Sequence, residues 1–189
     1  MENIMDKVYN EVKKRCMAPT NAYGIGAWDH HIELVYQIAI KICSEYNADY
    51  EIVALAALLH DIASVTNKDF TEEHHTIGAE IASDLLKKYG LEETKIAHIQ
   101  KCILNHRGSV LMDKNSPEEI CIADSDAMAH FYSVPSFLRM VYVEKGMSID
   151  EGADFVYQKL ERSYNKLSEK GKQIIEPQHE AAKLLLLKK

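Results

Sequence analysis

Apolar residues recur at helical spacing along almost the whole chain, and no run of strict alternation is long enough to suggest a strand. That period points to an all-α domain. The expected helices cover about 2–16, 29–47, 50–62, 71–89, 93–106, 117–132, 135–145, 149–168 and 172–187. Several ends carry their own signals. Thr71 before Glu72 and Glu73 reads as an N-cap, Ser148 before Glu151 as a capping box, Ser116-Pro117 as cap plus first-turn proline, and Gly90 as a C-cap. The segments 17–26 and 107–116 read as loops. A length of 189 residues suggests one domain, 1–189, with a C-terminal helical extension.

Composition narrows the class of partner. With 47% apolar and 27% charged residues the chain is that of a globular protein, and its formal charge of -7 argues against nonspecific binding to a phosphate backbone. No segment reaches the ~20 apolar residues needed to cross a bilayer, and the N-terminal stretch mixes charge into every turn. Cys16, Cys43, Cys102 and Cys121 lack paired spacing and fall in helical segments, so reduced core thiols are expected. The cytoplasm is the default compartment.

At the end of the apolar run Ile52, Val53, Leu55, Leu58 and Leu59 stands the adjacent pair His60-Asp61. A polar dyad held against a core is costly unless a metal or hydrogen bonds satisfy both side chains. Periodicity places further imidazoles nearby in phase. His31 shares a stripe with Val35, Ile38 and Ile42, and His106 follows Ile96, Ile99 and Ile103 on one face. His74 shares its stripe with Ile77, Ile81 and Leu85, whereas His75 lines up with Gly78, Ala79 and Ala82, so His74 is the better inward candidate. One inward histidine is more often a satisfied core residue than a ligand. Several of them around a buried carboxylate would each bear a desolvation cost that coordination removes. His30, His75, His98, His130 and His179 are read as surface, core or supporting residues.

These residues resemble a known family. His31 with Val35 four residues on, followed by LLHDIA at Leu58 to Ala63, is similar to the HD-domain metal-dependent phosphohydrolase superfamily. HHTIGAEIA from His74 to Ala82, ILNH from Ile103 to His106 and DSDAMA from Asp124 to Ala129 resemble the branch with two extra histidines. The resemblance covers roughly 29–131 and implies a metal-binding core there, with a helical cover over about 134–189. It implies metal ligands at His31, His60, Asp61, His74, His106 and one late aspartate. The family forms A-D-A-L and D-A-D-x-L match Asp126, whereas helical phase prefers Asp124 among Ile120, Ala127 and Phe131. Asp126 is taken as the ligand and Asp124 as its alternative. Where the family often has glycine after HDI, this chain has Ala63 and Ser64, which makes the adjoining loop less predictable.

The ligand types set the chemistry. Imidazole with carboxylate suits one or two ions of Mn, Fe, Ni, Co or Zn, with Mg also admitted, and Asp61 can bridge a pair. Such metals activate a hydroxide, which Asp61 would orient as catalytic residue toward a phosphate ester or anhydride of a nucleotide or other small compound. Arg107 and, more weakly, Lys68 are candidate phosphate contacts. Tyr23 and Trp28 border the first histidine, where an aromatic could stack on a base, though core packing suits Trp28 better. Two alternatives stand beside this expectation: a di-iron oxygenase of the same superfamily, and a non-catalytic metal- or metabolite-binding module. The expected partner is a small phosphorylated substrate, with no specific nucleic-acid or membrane binding; the run Leu184 to Leu187 suggests a homodimer contact.

Overall fold

Among the residues that the computed structural model describes, 3–24, 26–106 and 114–187, every regular element is helical. The all-α expectation holds. None of these helices is long and apolar enough to cross a membrane. The contacts divide the chain into two compact units, Met1–Ser125 and Asp126–Lys189.

In the first unit α1 (Ile4–Cys16) starts at Asn3, whose side chain accepts the amide of Asp6 at 2.8 Å. A π turn, Trp28–Ile32, leads into α2 (Glu33–Ile42), and a 3-10 turn, Cys43–Tyr46, closes it. The uninterrupted helix expected over 29–47 is therefore three pieces. Asp49 caps α3 (Tyr50–Leu59) through the amide of Ile52 at 3.0 Å. All eight residues from Ile52 to Leu59 are buried, because α1, α2 and α6 (Glu93–Asn105) surround the helix. Each buried Leu or Ile there contributes about 1.5–3 kcal/mol, enough to hold a polar pair at its end against the core.

That pair breaks the helix. Asp61 adopts φ -112 and ψ 22, and the chain restarts as α4 (Ile62–Thr66) rather than running on to 62 as one rod. The next start also differs from expectation. Thr71 is not a cap: its hydroxyl donates to the carbonyl of Lys68 at 2.7 Å within the 3-10 turn Lys68–Phe70, and α5 (His74–Tyr89) opens three residues later. Gly90 ends α5 at φ +82, in the left-handed conformation the sequence called for. α5 lies against α4 and α6 (Glu93–Asn105), and a Cβ at Gly78 would already touch Ile103, Ile62 and Ala63. α7 (Pro117–Tyr132) begins as expected, with the amide of Glu119 on the Ser116 hydroxyl at 3.2 Å, and the unit boundary falls inside it.

The second unit holds α8 (Val134–Arg139), a π turn (Met140–Glu144), α9 (Ile149–Lys166) and α10 (Glu169–Leu186). The capping box of Ser148 and Glu151 is present. His130 Nδ1 shares a hydrogen bond with the Ser163 hydroxyl at 2.8 Å, and His179 pairs with Glu161 at 2.5 Å while stacking on Tyr164. Leu184, Leu185 and Leu187 are exposed. All four cysteines are buried and unbridged, as their spacing implied.

Candidate metal centre

Four histidines from four segments meet at one carboxylate. His31 comes from the π turn ahead of α2, His60 and Asp61 from the break between α3 and α4, His74 from the first position of α5, and His106 from the residue after α6. Asp61 Oδ2 lies 3.1 Å from His31 Nε2 and 3.5 Å from His60 Nε2. Its Oδ1 lies 3.6 Å from both His74 Nε2 and His106 Nε2. Each oxygen thus faces its own pair of imidazoles.

The ring orientations follow from local backbone. His60 Nδ1 donates to the carbonyl of Ala57 at 2.7 Å, His74 Nδ1 to that of Thr71 at 2.7 Å, and His106 Nδ1 to that of Ile103 at 2.6 Å. A carbonyl can only accept, so all three rings carry a proton on Nδ1, and that bond turns each Nε2 toward the carboxylate. The same three-residue spacing recurs because each histidine sits where a helix starts or ends and a carbonyl is unclaimed. This is the arrangement by which proteins aim imidazoles at a cation.

Two observations test whether a cation fits. Asp61 Oδ1 is buried without a hydrogen-bond partner, a costly state for a carboxylate oxygen. The atoms His31 Nε2, His60 Nε2 and Asp61 Oδ2 form a triangle of sides 3.2, 3.1 and 3.5 Å. Its circumradius is about 1.9 Å, just inside the ~2.0–2.2 Å bond lengths of nitrogen and oxygen ligands to zinc-sized ions. His31, His60 and Asp61 form one candidate ligand group, and Asp61, His74 and His106 a second. Burial pushes the Asp61 carboxyl up, but the neighbouring His60 and the contacts to His106 and His31 more than offset it and hold it well below the usual carboxylate range.

The other sequence candidates sit on other elements, Asp124 and Asp126 on α7 and Lys68 in the 3-10 turn. Asp124 is buried in α7 and accepts the hydroxyl of Tyr46 at 2.6 Å. Asp126, half-buried on α7, is the first residue of the second unit. Lys68 is exposed, its backbone amide on the carbonyl of Thr20 at 2.9 Å. Arg107 lies outside the described residues. Trp28 is buried, edge-on to Tyr9 with ring centroids 4.7 Å apart, so it packs the core.

Sequence reasoning missed one contact at the centre itself. The hydroxyl of Tyr23 donates to Asp61 Oδ2 at 2.6 Å. Tyr23 sits in the 17–26 segment, which two backbone bonds tie to the neighbourhood of α4: Ala22 N–H to Ser64 O at 2.9 Å, and Lys68 N–H to Thr20 O. No periodicity operates in a loop, so nothing but an aromatic near the first histidine could have flagged it.

The sequence matches the HD domain family over residues 28–130. Ribonuclease Y of Petrotoga mobilis is 28% identical over 150 residues, and that of Thermotoga maritima 27%, each alignment covering 70% of this chain. The chain spans 27% of the length of these curated relatives. Among solved structures, Bacillus subtilis YpgQ in complex with ADP superposes with a TM-score of 0.65 at 20% identity, covering 93% of this chain and 90% of that one. A predicted HD superfamily hydrolase from an uncultured Thermotogales bacterium gives 0.57 at 23% identity, covering 90% and 91%. At these identities the likeness is one of fold.

Proposed function

The chain belongs to the HD domain family, and on that premise we propose that it is a metal-dependent phosphohydrolase acting on a nucleotide or another small phosphate ester or anhydride. The observation that carries this reading is the buried Asp61, whose two oxygens face separate pairs of histidines. A divalent metal held there supplies Lewis-acid polarisation of a phosphoryl oxygen and a water made acidic enough to attack near neutral pH. The protein's own part is preorganisation. Three backbone carbonyls fix the tautomers of His60, His74 and His106, and the burial of His60 and His106 keeps competing water from their nitrogens. Asp61 stays ionised and orients the attacking oxygen. Arg107, directly after His106, would offer paired hydrogen bonds to a phosphate, with Lys68 a weaker second contact.

Two of the similar proteins support phosphate chemistry: one is a ribonuclease, and the other was solved with ADP. The formal charge of -7 favours a small phosphate compound over a nucleic-acid backbone. Self-association through Leu184, Leu185 and Leu187 belongs to the same proposal. The test is a phosphate-release screen over nucleotides and phosphorylated metabolites with Mn, Co, Ni, Zn and Mg, run with and without oxygen. Metal-dependent release under anaerobic conditions supports the reading. Turnover that requires oxygen would transfer support to a di-iron oxygenase, and silence beside tight metabolite binding to a binding module.

A further inference from the structure

Tyr23 combines two properties that seldom meet in one side chain. The residue is 41% exposed, yet its hydroxyl reaches the buried carboxylate of Asp61 at 2.6 Å. An exposed phenol on a loop would ordinarily lose such a bond to water. Here two backbone bonds fix the residues just before it. Ala22 is bound to Ser64 of α4, and Thr20 to Lys68 just beyond that helix. Asn21 adds further restraint, since its side chain donates to the carbonyls of Cys16 and Ala18 at 2.9 and 2.8 Å and accepts the amide of Tyr23 at 2.9 Å. α4 is also the helix that Asp61 opens, so the donor and the acceptor are held by one local framework.

The contact is one-sided. Tyr23 donates to Oδ2, the oxygen that faces His31 and His60, and its ring stands edge-on to that of His31 at 5.6 Å. Oδ1, which faces His74 and His106, has no hydrogen-bond donor. A carboxylate oxygen has two lone pairs, so a phenol can occupy one and leave the other directed at a cation. We propose that Tyr23 is a positioning residue for the His31–His60–Asp61 half of the centre: its hydroxyl fixes the orientation of Oδ2, and its loss weakens cation binding in that half alone. This rests on the metal-centre reading of Asp61. Supporting bonds of this kind are worth about 10- to 100-fold in metal affinity.

The test uses the full chain and Mn²⁺ or Co²⁺ as the probe, with affinity read by calorimetry and the Co²⁺ centre by its visible absorption. In a His74→Ala/His106→Ala background, which keeps His31, His60 and Asp61, Tyr23→Phe should weaken binding about 10- to 100-fold and shift the Co²⁺ spectrum. In a His31→Ala background the same change should leave the remaining affinity as it was. Tyr23→Ala should match Tyr23→Phe if the hydroxyl is what matters. Equal or tighter binding in the first background, equal weakening in both, or a loss seen only with Tyr23→Ala would overturn the assignment. If the unsubstituted chain binds neither metal, the metal-centre reading falls and takes this inference with it, whereas normal binding that ignores Tyr23→Phe removes the inference alone.

Discussion

Asp61 Oδ2 stands 3.1 Å from Nε2 of His31, while the other oxygen of the same carboxylate turns away toward His74 and His106 at 3.6 Å. One residue therefore serves two sides of the centre. That division accounts for the cost of burying a carboxylate with an oxygen that no donor satisfies. It also separates the consequences of changing the histidines on either side.

Removing His74 and His106 together should leave the His31–His60–Asp61 group intact. The double alanine variant is expected to bind one equivalent of metal where the unsubstituted chain binds two, as counted by elemental analysis after dialysis. An unchanged count would assign these two imidazoles to packing.

Asp124 and Asp126 should behave differently. Tyr46 donates to Asp124 inside the first unit, so Tyr46→Phe should cost about 1–3 kcal/mol in denaturant unfolding while leaving metal content unchanged. Asp126→Asn, at the position that matches the family pattern, should instead lower metal content with little change in the stability of the metal-free protein. The reverse outcome would make Asp124 the ligand.

Much of this centre was legible in the sequence, for uneven reasons. His106 follows Ile96, Ile99 and Ile103, all buried, so the periodicity that pointed to it is the one the fold uses. The sequence favours His74 over His75 through a stripe of Ile77, Ile81 and Leu85, yet the stripe of His75, through Gly78, Ala79 and Ala82, is the more buried. His74 reaches Asp61 because it is the first residue of α5 and its ring is turned by the carbonyl of Thr71. Helix starts are set by hydrogen bonds such as that of Thr71 to Lys68, which residue types alone do not determine. The Tyr23 and Tyr46 contacts, spanning 38 and 78 positions to their aspartates, depend on tertiary approach and carry no local pattern.

The buried thiols should be inert in the native protein. Burial, with a smaller contribution from the charge of Asp61, pushes Cys16 up to about 12, and burial pushes Cys121 to about 12 and Cys102 higher still. A thiol reagent at neutral pH should therefore label the folded chain slowly and all four cysteines on unfolding. Rapid labelling of the native state would mean that these segments open readily.

Acid should weaken the join between α3 and α7. Burial raises the Glu118 carboxyl, but the amide of Asp49, its own backbone amide, the Ser116 hydroxyl and His98 outweigh it, and the net shift is downward. Glu118 Oε1 accepts the Asp49 amide at 2.8 Å. A carboxyl lowered on folding stabilises above its unfolded value near 4.5, and that contribution is lost as the pH falls through the lower folded value. Glu118→Gln should accordingly flatten the acid limb of a stability-versus-pH curve. An unaltered limb would rule this pair out as an acid-sensitive contact.

The most direct test is a metal count on purified, reconstituted protein beside its Asp61→Asn variant. Two equivalents of divalent metal should bind to the unsubstituted chain, and the variant, which removes the charge shared by both histidine pairs, should lose at least about a hundredfold in affinity. Two equivalents held equally tightly by both proteins, or none by either, would contradict a centre built on Asp61.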